Sequence, residues 1–332
     1  MTKLAEVMLP GAPLSETVAF FCERLGLRLC SIQPADEPQV AVLEGCGLRL
    51  RLDACARGDA GVLRVDATAD EQLIAPNGTR VLMRRPEALR TPPASGDLTV
   101  VSAPRATDWT VGRAGMLYRD LIPGRLGGHV VASHIRIPRG GPVPDDVHFH
   151  DVAVQVIHCV RGWVRLVYEG QGASFVLRAG QTVLQPPRIR HRVLECSDAL
   201  EVVEVTSPAQ HLTTIDYELT LPSASVGGGR DFDGQRFVVQ TLDGPDRIAD
   251  SSGERVAVST FSLTDEPRTI GADARVDLVF ALQGSAELHV AGDRYLLEEG
   301  GAATTPPGVT GAVRGSDGGA ALHVQLAVHK PE

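Results

Sequence analysis

Residues 140–162 read GGPVPDDVHFHDVAVQVIHCVRG. His148 and His150 are two positions apart, so both imidazoles project from the same face if this segment is a strand. Residues 180–195 read GQTVLQPPRIRHRVLE and supply a third histidine, His191. Imidazole nitrogens bind Fe, Mn, Ni, Cu and Zn. Two rings on one strand and a third from a neighbouring strand can therefore converge on one metal ion inside a β-barrel.

The histidines of the whole chain cluster around this stretch. Seven of the ten lie between His129 and His211, and none lies in the first 128 residues. A lone strand histidine is more often a hydrogen-bonded core or surface residue than a ligand. This interpretation suits His129, His158, His211, His289, His323 and His329. His158 has the opposite strand parity to Gln155, so we expect it to point away from a barrel interior that Gln155 faces.

Two series of short apolar strands surround the histidines, one in residues 111–220 and one in residues 233–332. A Gly/Ser-rich connector, PSASVGGGRDFDG at 222–234, separates them. The turn-rich residues 89–110 are predicted to be a linker. The chain contains 35 glycines and 22 prolines, which favours many short strands over long helices.

The two strand series repeat each other. Gly162 aligns with Gly284 and Gly180 with Gly300, at offsets of 122 and 120 residues. A repeat of this length in an all-β pattern predicts two duplicated barrels rather than one large one.

The histidine segment resembles the cupin superfamily. The first cupin motif is glycine, His-x-His, three or four residues, glutamate, six residues and glycine. This chain has the corresponding residues Gly141, His148, His150, Gln155 and Gly162, with a gap one residue longer after the first glycine. The second motif is glycine, five residues, Pro-x-Gly, two residues and histidine, and here it has Gly180, Pro186, Pro187, Arg188 and His191. The resemblance implies a mainly β cupin fold over about residues 128–207.

By carry-over from the family, the metal ligands are His148, His150, Gln155 and His191. Gln155 stands where the family has glutamate, so the ligand set is neutral and a divalent ion would keep a net charge near +2. Such a site favours an anionic substrate as a direct ligand. A structural amide is the alternative role for Gln155, because amides bind metals poorly. Arg188 replaces the motif glycine, so the turn must avoid a left-handed conformation or tolerate strain there.

Other polar residues are candidates for the pocket. His134 and Arg136 share one strand parity; if it faces the interior, Arg136 would bind a substrate carboxylate, and otherwise both lie on a solvated face. Tyr168 is a candidate proton donor or a residue at the core edge. Glu204 lies in an apolar strand and would act as a general base with a raised pKa if it points inward.

The second series retains the scaffold without the ligands. Ile270, Ala272 and Gly311 occupy the positions of the three histidines, and Asp277 that of Gln155. Its expected role is structural: covering a barrel face, dimerising or forming part of the pocket wall.

The first 90 residues resemble one βαβββ module of the vicinal-oxygen-chelate (glyoxalase-like) superfamily. The matching parts are a helix, SETVAFFCERLGL at 15–27, with Ser15 as N-cap and Gly26 as the stop, and the closing APNGTRVLMRRP at 75–86. Because the segment contains no histidine, we expect a small α+β packing or dimerisation domain without metal.

Composition excludes several classes of function. The net charge of −9 argues against nucleic-acid binding, which needs a basic surface. No apolar run approaches the ~20 residues of a transmembrane helix, so no membrane partner is expected. The first residues lack the apolar core of a secretory signal, and the six cysteines form no dense framework, so we expect a cytoplasmic protein.

Three functions remain open. The first is a metal-dependent dioxygenase of a small enolisable or carboxylated anion, with Fe(II) favoured, because some cupin dioxygenases use three histidines without a carboxylate. The second is a non-redox isomerase or lyase of a small keto or sugar acid, with Mn, Ni or Zn as Lewis acid, because some cupin isomerases use glutamine with histidines. The third is a binding cupin without turnover. Paired barrels with exposed strand edges also predict a homodimer.

Overall fold

The structure is a computed structural model that describes residues 5–86, 90–224, 232, 234–242, 247–249, 255–271, 274–315 and 318–328. It divides into two compact units, Met1–Ala88 and Leu89–Glu332. Among the described residues, no helix is long and apolar enough to cross a membrane.

The first unit contains one helix and two small sheets. Its elements are β1 (Val7–Pro10), α1 (Leu14–Leu25), β2 (Arg28–Gln33), β3 (Val40–Gly45), β4 (Leu48–Asp53), β5 (Val62–Asp66), β6 (Glu71–Ile74) and β7 (Arg80–Arg84). One sheet has the order β1-β4-β3-β2, and the other has the order β5-β7-β6. Helix α1 begins at Leu14 with Pro13 at its N-cap, so the predicted cap at Ser15 is wrong: Ser15 lies inside the first turn, and no side chain caps the helix. The helix ends at Leu25, and Gly26 takes the left-handed conformation at its C-cap, as predicted. Phe21 is fully buried in the core of this unit.

The second unit is built almost entirely of strands. Its first half contains β9 (Thr110–Val111), β10 (Leu117–Asp120), β11 (Val131–Ile137), β12 (Gly141–Pro142), β13 (His148–His150), β14 (Val154–Arg161), β15 (Trp163–Tyr168), β16 (Phe175–Arg178), β17 (Gln181–Gln185), β18 (His191–Cys196), β19 (Leu200–Ser207) and β20 (Thr213–Ile215), preceded by β8 (Thr99–Val101). A short helix, α2 (Arg125–Gly128), and two single 3-10 turns, Ala106–Asp108 and Arg113–Gly115, connect them.

The second half of this unit repeats the same strand pattern. Its strands are β21 (Val238–Thr241), β22 (Arg247–Ala249), β23 (Val256–Leu263), β24 (Arg268–Ile270), β25 (Arg275–Gln283), β26 (Ala286–Val290), β27 (Asp293–Leu297), β28 (Ala302–Thr305), β29 (Gly311–Gly315) and β30 (Gly319–Ala327).

Each half consists of two sheets with its own core. The first half has a seven-stranded sheet, β21-β17-β14-β19-β11-β10-β9, and a six-stranded sheet whose main path is β16-β15-β18-β13-β20. The second half has sheets β22-β23-β30-β25-β28-β8 and β24-β29-β26-β27. Leu166, Leu177 and Val183 belong to the first core, and Val279, Leu288 and Ala321 to the second.

Two strands cross between the halves. Strand β8, which precedes the first half in sequence, pairs with β28 of the second, and β21, which follows the connector, pairs with β17 of the first. The predicted linker at 89–110 is therefore partly a strand, because Leu98 and Val100 pack against the second core.

The outer faces of the two large sheets pack against each other. A third apolar cluster joins Val154, Val156 and Val203 of the first half to Leu278 and Val324 of the second. Both faces of these sheets are therefore buried, which removes the alternation of apolar and polar residues that would reveal from sequence which face points inward.

Strand registers support the alignment of the two repeats. His148 pairs with His191 across β13 and β18, and Ile270 pairs with Gly311 across β24 and β29. Gln155 pairs with Gln185, and Asp277 pairs with Thr305. Ala272, the predicted counterpart of His150, lies outside the described residues.

Candidate metal centre

Three buried histidines meet where β13 lies beside β18. The ligand nitrogens of His148, His150 and His191 all lie within 4.8 Å of one another. The ring centroids of His148 and His191 are 4.2 Å apart, and that of His150 lies 5.0 and 5.2 Å from them. In the described part of the chain, this is the one group of His, Cys, Asp or Glu side chains with such geometry.

The Nδ1 atom of each ring has a hydrogen-bond partner. Nδ1 of His148 donates to the Asp146 carbonyl at 2.7 Å, and Nδ1 of His191 donates to the Ile189 carbonyl at 3.0 Å. Nδ1 of His150 lies 2.8 Å from the hydroxyl of Thr213. A proton on Nδ1 leaves the Nε2 lone pair of each ring available as a ligand. Nε2 of His148 is buried and has no hydrogen-bond partner within the described residues.

Burial keeps these imidazoles neutral. It lowers the pKa of His150 to about 3, with the neighbouring His148 adding to the effect. Burial, reinforced by the other two rings, also lowers the pKa of His191 well below its ordinary value. Neutral imidazole is the form that coordinates metals, so the three residues fit a divalent transition-metal ion.

Gln155 belongs to a chain of buried side chains that ends at Tyr168. The Tyr168 hydroxyl donates to Oε1 of Gln185 at 3.0 Å, and Nε2 of Gln185 donates to Oε1 of Gln155 at 2.9 Å. The same Nε2 atom lies 3.3 Å from Nδ1 of His191, so Gln185 contacts both the cluster and Gln155. Burial strongly raises the pKa of Tyr168, so its phenol stays protonated.

A cavity of about 70 Å³ opens beside the histidines, inside the first half. Its polar lining includes His150, His191, Tyr168, Glu204 and Arg113. The rest of its wall is formed by Met116, Tyr118, Ile135, Ile137, Ile157, Val164, Leu166, Val193, Leu200 and Val202.

Glu204 points into this cavity. Burial raises the pKa of its carboxyl, and Arg113 and the amide of Gln155 partly oppose that rise. Tyr118 lies in the same wall, where burial first and the Glu204 charge second raise the pKa of its phenol to about 12. The inward orientation required for Glu204 to act as a base is thus present.

Arg113 and Asp145 join the cavity to the histidine cluster. The Arg113 guanidinium forms an ion pair with the buried Asp145 carboxylate. The other Asp145 oxygen accepts the Val193 N–H at 2.9 Å, and Nδ1 of His148 lies 3.7 Å from the carboxylate. Asp145 therefore holds a cavity-lining cation and borders one of the three histidines.

His134 and Arg136 lie on the other side of strand β11. Ile135 and Ile137 line the cavity, so the alternate residues point away from it. Nε2 of His134 lies 2.7 Å from the Glu201 carboxylate, and the Arg136 guanidinium stacks 4.3 Å from the Trp109 ring. The structure does not bring these two predicted substrate-binding residues together with the cluster, because Ile135 and Ile137 take the cavity-facing positions of β11. His134 is instead buried against Phe280 of the second half, and Arg136 stays partly exposed.

Several residues of the site carry no spacing signal in the sequence. Arg113 and Tyr118 precede the motif by about 30 residues, and Gln185 lies inside the second motif at a position that the motif leaves open. His211, assigned no role from the sequence, has its ring 5.5 Å from that of His150. His158 points away from the cavity, as predicted, and lies 2.8 Å from the Thr182 hydroxyl.

The protein Ylba from E. coli, described as DUF861, matches with a TM-score of 0.51 at 11% identity, over 74% of this chain and 97% of that chain. The chain has a cupin fold. A variant of oxalate decarboxylase from Bacillus subtilis matches with a TM-score of 0.49 at 12% identity, over 70% of this chain and 77% of that chain. No protein-family model and no curated protein matches the sequence.

The cupin fold and the mainly β class predicted from the motifs are confirmed. In the second half of the second unit, the position of Gln155 holds Asp277, whose carboxylate lies 2.6 Å from Nε2 of His323. His323 pairs with Val279 in the register in which Glu204 pairs with Ile157. The two positions that hold Gln155 and Glu204 in the first half therefore hold Asp277 and His323 in the second. The described residues of the second half contain no group of histidines that could bind a metal.

Proposed function

We propose that the protein is a metal-dependent cupin enzyme, a dioxygenase of a small anionic substrate that binds the metal directly. The observation that carries the proposal is the trio of imidazoles whose Nδ1 atoms have hydrogen-bond partners and whose ligand nitrogens lie within 4.8 Å of one another, with His150 and His191 lining a cavity. His148, His150 and His191 would hold the ion. Gln155 is the fourth candidate, because its carbonyl oxygen keeps a second lone pair beyond the one that accepts from Gln185.

Charge supports an anionic substrate. Three neutral imidazoles and an amide leave the full positive charge of a divalent ion uncompensated by its ligands. When bound, the ion would supply that charge and, as Fe(II), reactivity towards oxygen. The Arg113 guanidinium adds a cation at the cavity wall, and the apolar residues around it exclude water and so strengthen attraction to an anion.

Glu204 favours a second candidate, a non-redox isomerase or lyase. Its carboxyl faces the cavity, and its raised pKa suits a group that takes a proton from a bound anion and returns it. Tyr168 is then a positioning residue rather than the proton donor, since its hydroxyl is committed to Gln185.

We propose that the two sheet pairs of the second unit are two cupin barrels, the first with the metal. The first unit, in which β1, α1 and β2–β4 follow in βαβββ order, would be a glyoxalase-like module without metal, and the cytoplasmic protein would form a homodimer.

The decisive experiment begins with anaerobic protein loaded with Fe(II), Mn(II), Ni(II) or Zn(II). Acetoacetate and 2-oxobutyrate are added, with and without oxygen, and oxygen uptake and product formation are measured. Uptake that requires Fe(II) supports the dioxygenase, whereas equal turnover with Zn(II) in the absence of oxygen supports the isomerase or lyase.

A pair of histidine variants tests the metal site independently of activity. His191→Ala is expected to abolish stoichiometric Co(II) binding, followed by its visible absorption. His158→Asn, in the same sheet pair but pointing away from the cavity, is expected to bind one equivalent. Full Co(II) occupancy in His191→Ala would refute the site.

A further inference from the structure

The cavity beside the histidines is layered along its strands. In the upper layer, His191 pairs with Tyr168 across β18 and β15. One layer down, Ile157 pairs with Glu204 across β14 and β19. Because side chains of paired residues project from the same face, these polar groups lie together at the end of the cavity that holds the histidines.

The lower layers of the cavity contain apolar side chains. Val193 pairs with Leu166 below His191, and Ile135 pairs with Val202 below Glu204. At the bottom, Ile137 pairs with Leu200, and both side chains line the cavity. A ligand whose charged head lies at the histidines would therefore place its tail in an apolar enclosure.

Arg113 lies in the wall of the same cavity, with part of its side chain exposed. Its guanidinium carries five N–H donors, and among the described residues its side-chain hydrogen-bond partner is the Asp145 carboxylate. The remaining donors suit a carboxylate, which accepts bidentate hydrogen bonds from arginine. The site thus presents two cationic partners for one head group: this guanidinium and the metal position.

The volume of the cavity limits the tail. When the head group lies at the three histidines, the 70 Å³ of the cavity are left for the tail. Because an apolar cavity of about 150 Å³ holds benzene, that volume corresponds to roughly three carbon atoms. Val202 lines the lower layer and Leu200 the bottom, and both are nearly fully buried, so a longer tail or an aromatic ring would have to displace packed core residues.

We infer that the site takes short, unbranched carboxylates with a metal-chelating group beside the carboxylate and an apolar tail of about three carbons, of which the 2-oxo acid 2-oxopentanoate is the model. Arg113 binds the carboxylate, and Val202 sets the tail length. This inference rests on the proposed function, because the chelating head presumes a metal at the three histidines.

The test measures binding rather than turnover. Protein loaded with Zn(II) is titrated calorimetrically with unbranched 2-oxo acids from pyruvate to 2-oxooctanoate and with phenylpyruvate. Each methylene that enters the apolar layers should strengthen binding by about fourfold up to 2-oxopentanoate. Affinity should then fall with further length, and phenylpyruvate should not bind measurably.

Two valines on one strand provide matched variants. Val202 faces the cavity, whereas Val203 faces the cluster between the two halves. Val202→Ala should move the optimum to 2-oxohexanoate or longer, and Val203→Ala should leave it unchanged. If Val202→Ala does not fold, Ile137→Ala enlarges the same end of the cavity. Arg113→Gln should weaken every acid by a similar factor of about ten and leave the optimum in place.

The outcomes separate this inference from the proposed function. Affinity that keeps rising beyond 2-oxohexanoate in the unsubstituted protein, or an optimum that is the same in Val202→Ala, overturns the inference even when Zn(II) binds stoichiometrically. If Zn(II) does not bind, the proposed function fails, and the same series of acids on metal-free protein tests the tail pocket. An optimal chain length that Val202→Ala shifts supports the pocket, and the absence of an optimal chain length overturns it.

Discussion

The hydroxyl of Tyr168 donates a hydrogen bond to Oε1 of Gln185 at 3.0 Å, and this bond sets the direction of the hydrogen bonds beyond it. With Oε1 accepting, Nε2 of Gln185 faces Gln155 and donates to its carbonyl oxygen. A phenolic proton thereby determines how an amide near the metal position is oriented.

Tyr168→Phe should therefore destabilise the protein without removing the metal site. The substitution leaves the buried Oε1 of Gln185 without a donor, which costs about 1–2 kcal/mol in the free energy of unfolding. Urea unfolding measures this loss, and Co(II) titration should still show one equivalent. Loss of Co(II) binding would instead show that the amide chain holds the histidines in place.

Asp145→Asn should weaken metal binding without abolishing it. The substitution removes the charge that pairs with Arg113 and borders His148, and losing such a supporting contact typically lowers metal affinity about tenfold. Competition with a chromophoric chelator for Zn(II) measures the change. Asp216→Asn is the control, because Asp216 pairs with Arg190. Equal losses in both variants would contradict a specific role for Asp145.

The stability of the protein should fall in mild acid, in part through His158. Burial lowers the pKa of His158 to about 4, below the ordinary value of 6.5. The contribution of neutral His158 to the free energy of unfolding is complete above pH 6.5. It is lost as pH falls towards 4, because the unfolded chain then binds a proton that the folded protein does not. At pH 5 the loss is about 2 kcal/mol.

His158→Asn should remove this part of the pH dependence. Urea unfolding at pH 7.5 and pH 5.0 should show a drop in stability that is smaller in the variant by about 2 kcal/mol. An identical drop in both proteins would mean that His158 is protonated in the folded state.

Arg188 holds the left-handed conformation that the cupin motif assigns to glycine. Its φ is +56°, and its side chain pairs with Asp151 at 2.8 Å on the exposed edge of the site. Comparing Arg188→Gly with Arg188→Ala isolates the backbone, since both variants lack the ion pair. The glycine variant should be more stable by about 1 kcal/mol in urea unfolding, and equal stabilities would show that the turn is not strained.

The histidine cluster could be predicted because its information is local. His148, His150 and His191 lie at fixed spacings around turns whose glycines and prolines mark the strand ends, and the two strands that carry them are hydrogen-bonded neighbours. From the sequence we could say only what Glu204 would do if its side chain pointed inward. Its strand is apolar on both faces, so the pattern does not show which face lies inside.

The orientation of His134 and Arg136 could not be predicted for the same reason. Strand β11 packs inward through Ile135 and outward against the other half, and His134 is only 1% exposed. The alternation of side chains along β11 therefore distinguishes two buried faces, and it does not show which of them points into the cavity. Arg113 could not be identified from the sequence, because it lies in a turn outside both motifs. Only the folded chain packs that turn against the cavity.

The exchange of β8 and β21 makes the two halves of the second unit depend on each other for folding. Because each half lends a strand to a sheet of the other, deleting either one leaves the survivor with an unpaired sheet edge. A truncation to the half that holds the three histidines would therefore expose an edge that promotes aggregation.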